Sequence, residues 1–203
     1  QINGGLRLSH YAFLGPKSIF SYSGDYPYFK KNIIDTILSS GVIKSYFNIE
    51  PRFSLRYSFS EKASFKAGYA RTSQYVNQIF NSDSPTPTSQ YQLSTSYILP
   101  TTAQNVNVGF FKNFSDNLWE SSIEIFGRKM NNVYDYRDFS TLYVNEHIET
   151  ELLYGIGRAY GAELSIKKIK GVLNGSVAYT LSRTERKIKE ISNGDWYLSN
   201  FDK

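Results

Sequence analysis

The stretch from Asn48 to Val76, NIEPRFSLRYSFSEKASFKAGYARTSQYV, restricts the fold more than any other. Phe53, Leu55, Tyr57 and Phe59 take alternate positions, with Arg52, Ser54, Arg56 and Ser58 between them. A period of two means an extended strand with one apolar and one polar face. The pattern then repeats: Phe65, Ala67 and Tyr69 alternate with Ser64, Lys66, Gly68 and Ala70. Ser60-Glu61-Lys62-Ala63 between the two runs has hairpin length. A sandwich buries such an apolar face against a second sheet. A transmembrane barrel turns it to lipid and lines its lumen with the polar one. The hairpin alone is compatible with both.

The rest of the chain separates them. Further strands are expected at about 5–11, 104–113, 118–135, 153–168 and 172–185, which with the hairpin makes about seven. Along the fifth strand Trp119, Ile123 and Ile125 oppose Glu120, Ser122, Glu124 and Arg128. Along the sixth Ala162, Leu164 and Ile166 oppose Glu163, Ser165 and Lys167, and along the seventh Val177, Tyr179 and Leu181 oppose Ser176, Thr180 and Ser182. The links alternate. Long ones fall at about 12–45, 77–102, 136–152 and after 185; short ones fall at Glu61-Lys62, Ser115-Asp116-Asn117 and Lys170-Gly171. Long and short links in alternation are the layout of an up-and-down outer-membrane barrel, not of Greek-key sandwiches. The expected fold is therefore all-β, an antiparallel up-and-down transmembrane β-barrel segment, with Leu55 toward lipid and Arg56 toward the lumen. In the first long link, Ile33, Ile34, Ile37 and Leu38 before Gly41 suit a short surface helix or an irregular loop. The run Ser82–Ser89 holds two prolines and no core-forming residue, so no central strand is expected there.

Composition agrees. Among 203 residues, 40% are hydrophobic and mean hydropathy is −0.41, and no apolar run reaches the roughly 18–20 residues of a membrane helix. Seventeen Tyr and fourteen Phe beside one Met suit the aromatic girdles of a barrel. The absence of Cys leaves no part for disulfides or thiol chemistry. The net charge of +5 is scattered rather than gathered in a run, which argues against a nucleic-acid partner.

No motif calls for an enzyme or a cofactor. Gly155, Gly157 and Gly161 have the wrong spacing for a dinucleotide loop and lead into a strand. Ser165–Lys168 and Ser115–Asn117 echo β-lactamase motifs in reversed order, with no Lys-Thr-Gly after them. Glu146, His147, Glu149 and Glu151 could attract a divalent cation, but an acidic solvated loop accounts for them and no metal site is assigned. His10 has no evident partner.

Several stretches resemble TonB-dependent outer-membrane receptors, closest to the type with a carboxypeptidase-regulatory-like N-terminal extension. They are EPRFSLRYSFSEKASFKAGYARTSQY (50–75), WESSIEIFGRKMNNVYDYRD (119–138), GRAYGAELSIKKIKGVLNGSVAYTLSRTER (157–186) and the closing GDWYLSNFDK. An aromatic-Gly-x-Glu stretch, a Gly turn and a Tyr-Thr-x-Ser-Arg strand recur in that order as Tyr160, Gly161, Glu163, Gly171, Tyr179, Thr180, Ser182 and Arg183. The resemblance implies a 22-stranded barrel closed by a plug, located in the outer membrane of a Gram-negative bacterium. It implies import of a scarce small ligand, driven by a TonB complex that engages an N-terminal region. About seven strands cannot close such a barrel, so residues 1–203 are expected to be an internal part of one barrel domain, without the plug. Charged polar-face residues, Arg52, Arg56, Lys66, Glu120, Glu124, Arg128, Glu163 and Lys167, are candidates to line the lumen and guide ligand, or to form an ion-paired wall. Tyr134, Tyr136, Trp196 and Tyr197 are candidates to stack on ligand, or to pack loops and girdle. The rival functions are a soluble or surface β-sandwich that binds carbohydrate and a small passive pore.

Overall fold

The computed structural model describes residues 1–79, 90–141 and 144–199. Its main element is one antiparallel sheet. The strands are β1 (Ile2–Leu14), β2 (Lys17–Tyr22), β3 (Ile33–Ser39), β4 (Val42–Ser60), β5 (Ala63–Gln74), β6 (Val76–Ile79), β7 (Gln90–Leu93), β8 (Thr101–Phe114), β9 (Trp119–Tyr136), β10 (Leu152–Lys168), β11 (Gly175–Lys187) and β12 (Tyr197–Leu198). Eight of them form the sheet in the order β1-β4-β5-β8-β9-β10-β11-β12. The expected strands thus pair in sequence order, as up-and-down topology requires; β1, β4 and β8 run several residues longer than the alternation alone suggested, and β9, β10 and β11 lie within three residues of their expected bounds. The two remaining sheets are two-stranded hairpins, β2-β3 and β6-β7. Among the described residues there is no second sheet facing the first, so the sandwich has nothing to be built from.

Each short link is a tight turn with a local cause. Glu61-Lys62 joins β4 to β5. Ser115, Asp116 and Asn117 join β8 to β9, all with left-handed backbone (φ 47, 54 and 63), a conformation that Asp and Asn tolerate better than most residues. Gly171 turns the chain between β10 and β11 at φ 106, where a Cβ would be strained. Lys62 Nζ bonds Asp116 Oδ1 at 2.7 Å, which ties two neighbouring turns together. The hydrogen bond from Lys62 holds the Asp116 carboxyl below the usual carboxylate range.

The first long link departs from expectation. Residues 33–39 form strand β3, neither a helix nor an irregular loop. Ile37 pairs with Ile19 and Leu38 with Ser18. Three of the four apolar residues there are β-branched isoleucines, which pack well on a pleated surface and lose rotamer freedom in a helix. The helical turn of this link is confined to Lys30–Asn32. In the second long link, β6 and β7 make a small hairpin apart from the main sheet; the expectation for Ser82–Ser89 lies outside the described residues.

Among the described residues the buried apolar core lies at the long-link end. There Ile98, Tyr134, Tyr136 and Leu152 are buried, with Ile148 and Tyr154 against them. Along the sheet itself large apolar side chains stay exposed: Ile125 is 59%, Leu181 65% and Val177 76% accessible. The polar face is the concave one. A hollow of about 690 Å³ on it is lined by residues from β4 across to β10, among them Arg56, Lys66, Glu120 and Lys167.

Candidate functional site

Side chains directly opposite each other in adjacent antiparallel strands share a face, so the register places each candidate. Arg56 stands opposite Lys66, Lys66 opposite Gly109, Gly109 opposite Glu124 and Glu124 opposite Glu163. One transverse row across five strands thus reads Arg, Lys, Gly, Glu, Glu. Nearer the short turns Glu120 stands opposite Lys167. Nearer the long links Arg52 pairs with Ala70, Ala70 with Asn105 and Asn105 with Arg128. All eight charged candidates therefore lie on the concave face. The row is not an ion-paired wall. Its basic half sits on β4 and β5 and its acidic half on β9 and β10, with glycine between, and no salt bridge among the described residues joins any two of the eight. This row is electrostatically bipolar, while Arg128 and Lys167 add positive charge elsewhere on β9 and β10 of the same face.

Phe111 belongs to the same face and was not singled out by the sequence. It pairs with Ser64 and Ser122, and the ammonium of Lys66 lies 4.0 Å from its ring centroid. Gly109 makes room for this. A Cβ there would meet the Phe111 ring at 2.9 Å and Glu124 Cγ at 3.0 Å. A lone Phe directly after Phe110 looks like part of an apolar run; only the register shows that it faces the other way.

The four aromatic candidates do not converge. Asn132, at φ 54, is the extra residue of a bulge that shifts the β9-β10 register. Its Nδ2 donates to the Pro100 carbonyl at 2.9 Å, and its own carbonyl accepts from Thr101 Oγ1 at 2.7 Å. Beyond the bulge Tyr134 opposes Tyr154 and Tyr136 opposes Leu152, and both rings are buried in the core at the long-link end. Trp196 lies 4.1 Å from the Arg158 guanidinium. Tyr197 donates to Asp135 Oδ2 at 3.0 Å, an oxygen that also receives Arg186.

The long links build a second hollow, about 540 Å³, between the β2-β3 hairpin, the β6-β7 hairpin and residues 145–149. Phe13, Phe20, Tyr97 and Ile98 line it, with Lys17 and Glu149 at the polar positions. A tyrosine cluster shapes its floor. Tyr22 packs edge-on to Tyr97 at 5.2 Å, and Tyr28 does so at 4.9 Å. Tyr22 donates to Glu149 Oε1 at 2.7 Å, and Tyr97 donates to the Phe20 carbonyl at 2.6 Å. Burial, followed by the bond to Glu149, pushes the Tyr22 phenol well up. Burial raises Tyr26 to about 12, although the Tyr154 N–H that it accepts works the other way. The sequence signal was present in the spacing of Tyr22, Tyr26 and Tyr28, but those residues read equally as loop. Glu149 and Glu151 accept hydrogen bonds from Tyr22 and from Thr141 and Thr150, and among the described residues no three acidic or imidazole groups gather as a metal would require.

Comparison with known proteins agrees with this geometry. The family model described as TonB dependent receptor-like, beta-barrel matches residues 1–201. The FrpB iron transporter from Neisseria meningitidis (F3-3 variant) is similar in structure, with a TM-score of 0.54 and 14% sequence identity. The match covers 95% of this chain and 24% of that one, so the chain spans about a quarter of that transporter. No curated protein matches the chain.

Proposed function

This chain belongs to the TonB-dependent receptor-like β-barrel family, and from that premise we propose that it is a stretch of barrel wall in an energy-coupled importer of a Gram-negative outer membrane. The transported cargo is a scarce small ligand. Energy comes from a TonB complex that engages a region of the receptor outside these residues, and lipid covers the apolar face. The observation that carries the reading is the division of one sheet into two faces. Its convex side exposes a band of Val, Ile, Leu and Tyr that no protein element covers among the described residues. Its concave side carries separated, unpaired charges around a hollow. Lipid on one side and a solute path on the other satisfies both at once.

Within that importer Arg56 and Lys66 form an anion-attracting wall, and Glu124 and Glu163 a cation-attracting one. A solute crossing between them is oriented by the field rather than held by a single contact. The cleft among the long links, with its aromatic floor, is the first surface a ligand meets. Cells expressing the full-length receptor, with TonB present or deleted, should be scored for depletion of candidate solutes from the medium, ferric chelates among them. Depletion that requires both proteins supports the proposal. Depletion that persists without TonB identifies a passive pore.

A further inference from the structure

On β5, β8, β9 and β10 the apolar series of the convex face gives way to polar and charged side chains, whereas on β1 and β4 it continues higher through Leu6, Leu8, Ile49 and Phe47. The register locates its upper edge strand by strand, where "upper" means toward the long links. On those four strands the last apolar row before the change contains Tyr69, Val106 and Tyr160, which share a face through Gly127, and it meets Arg183 on β11. One row higher, Arg71 pairs with Gln104, Gln104 with Lys129, Lys129 with Arg158 and Arg158 with Glu185. Four neighbouring strands therefore present Arg, Gln, Lys and Arg in one row perpendicular to the strands, over about 14 Å at the usual strand spacing. Lys187 follows above on β11. These residues belong to the convex series, not to the lumen set, because Arg71 follows Tyr69 in parity and Arg158 precedes Tyr160.

Within this rim Glu185 is the one acid. Its Oε2 takes Arg158 Nε at 2.7 Å and its Oε1 takes Arg183 Nε at 2.9 Å. Each arginine binds it through Nε, and both side chains remain about half accessible, at 43% and 55%. Trp196 stacks on Arg158 from the loop side, which fixes its plane. Arg71 Nε is buried without a hydrogen-bond partner among the described residues, and Lys129 is exposed. The positive charge of the rim exceeds what Glu185 balances. Guanidinium groups held in fixed planes present a donor fork that matches carboxylate and phosphate oxygens, and at a membrane edge the phosphate of a lipid headgroup is the one at hand.

We propose that this rim binds the phosphates of an anionic lipid headgroup in the leaflet at the long-link end. The inference rests on the barrel reading, because it needs the convex band to lie in lipid. The acyl chains of that lipid lie along Tyr69, Val106 and Tyr160, and its phosphates reach Arg71, Lys129, Arg158 and Arg183 just above.

The test uses the full-length receptor in nanodiscs of phosphatidylcholine alone or mixed with phosphatidylglycerol. Melting temperature is read for the wild type, for Arg71→Gln/Lys129→Gln and for Arg71→Lys/Lys129→Arg. Phosphatidylglycerol should raise the wild-type value, more at low salt than at high salt. The Gln pair should lose at least half of that rise and the charge-keeping pair should retain it. Inorganic phosphate added to phosphatidylcholine discs should reproduce none of it. Lys112→Gln/Lys168→Gln, at the opposite edge of the band, should keep most of it. A full rise in the Gln pair, an equal loss in the opposite-edge pair, or a rise produced by phosphate alone would each overturn the proposal. Incorporation into discs with the wild-type circular dichroism spectrum shows which variants are folded. A wild type with no rise would overturn the lipid site while leaving the importer reading intact, since TonB-dependent uptake is scored separately.

Discussion

Lys66 holds its ammonium 4.0 Å from the ring centroid of Phe111, on the neighbouring strand of the concave face. The contact fixes the basic half of a row whose acidic half, Glu124 and Glu163, lies beyond Gly109. A cation over an aromatic face at an accessible site is worth about 0.5–1 kcal/mol. A double-mutant cycle of Lys66→Met and Phe111→Leu, read by urea unfolding of the full-length receptor in lipid, should return a coupling of about that size. A coupling of zero would mean that the ammonium prefers water.

Gly109 is the spacer that permits the arrangement. Gly109→Ala should force the Phe111 ring aside, because the new methyl would sit 2.9 Å from it. Overpacking of this kind costs about 1–3 kcal/mol. Adding Phe111→Leu should recover most of the loss, and equal stability of Gly109→Ala and wild type would show that the ring moves freely.

The bulge at Asn132 rests on a left-handed residue and on its bond to the Pro100 carbonyl. Asn132→Ala should cost about 2 kcal/mol, combining the backbone penalty with a lost hydrogen bond. Asn132→Gly should cost less, since only the hydrogen bond goes. Unfolding midpoints in lipid test the order; Ala milder than Gly would remove the bulge from the account.

Tyr26, raised to about 12 by burial, gives the long-link cluster a pH limit. Its phenol keeps its proton more tightly folded than unfolded, so its contribution is complete below about pH 10, the ordinary tyrosine value. That contribution is lost as pH rises toward 12. Limited proteolysis of the long links should accelerate across that window, and Tyr26→Phe should lessen the change, with Tyr22, whose phenol is also pushed up, supplying the rest. Acceleration that begins well below pH 10 would point to another group.

Much of this architecture could be read from the sequence because period-two alternation is carried by local chemistry. Phe53 to Phe59 and Val177 to Leu181 announce their faces without help. The eight charged candidates share those strands, so their common face follows. What could not be read depends on pairing. Phe111 follows Phe110 in the chain, and only its partners Ser64 and Ser122 show that it turns inward. Ile33 to Leu38 have helical spacing, yet Ile19 across the hairpin makes them a strand. Tyr134 and Tyr136 are loop-like in composition, but the bulge at Asn132 carries them into a buried cluster. The basic rim needed three registers to align Arg71, Lys129 and Arg158, which lie 87 positions apart from first to last.

The central claim is that the convex face meets lipid, and Ile125 tests it most directly. It lies in mid-strand between Val108 and Ala162, in the same transverse row as Leu55, and is 59% exposed in this structure. The measurement is the unfolding free energy of the full-length receptor refolded into phosphatidylcholine vesicles, for wild type, Ile125→Ala and Ile125→Arg. Arginine near the bilayer midplane should cost about 2–4 kcal/mol. Alanine should cost much less, because lipid chains fill the space that a packed core would leave empty. If alanine instead costs about 2–5 kcal/mol, as in a protein core, and arginine no more, Ile125 is covered by protein and the lipid-facing assignment is wrong.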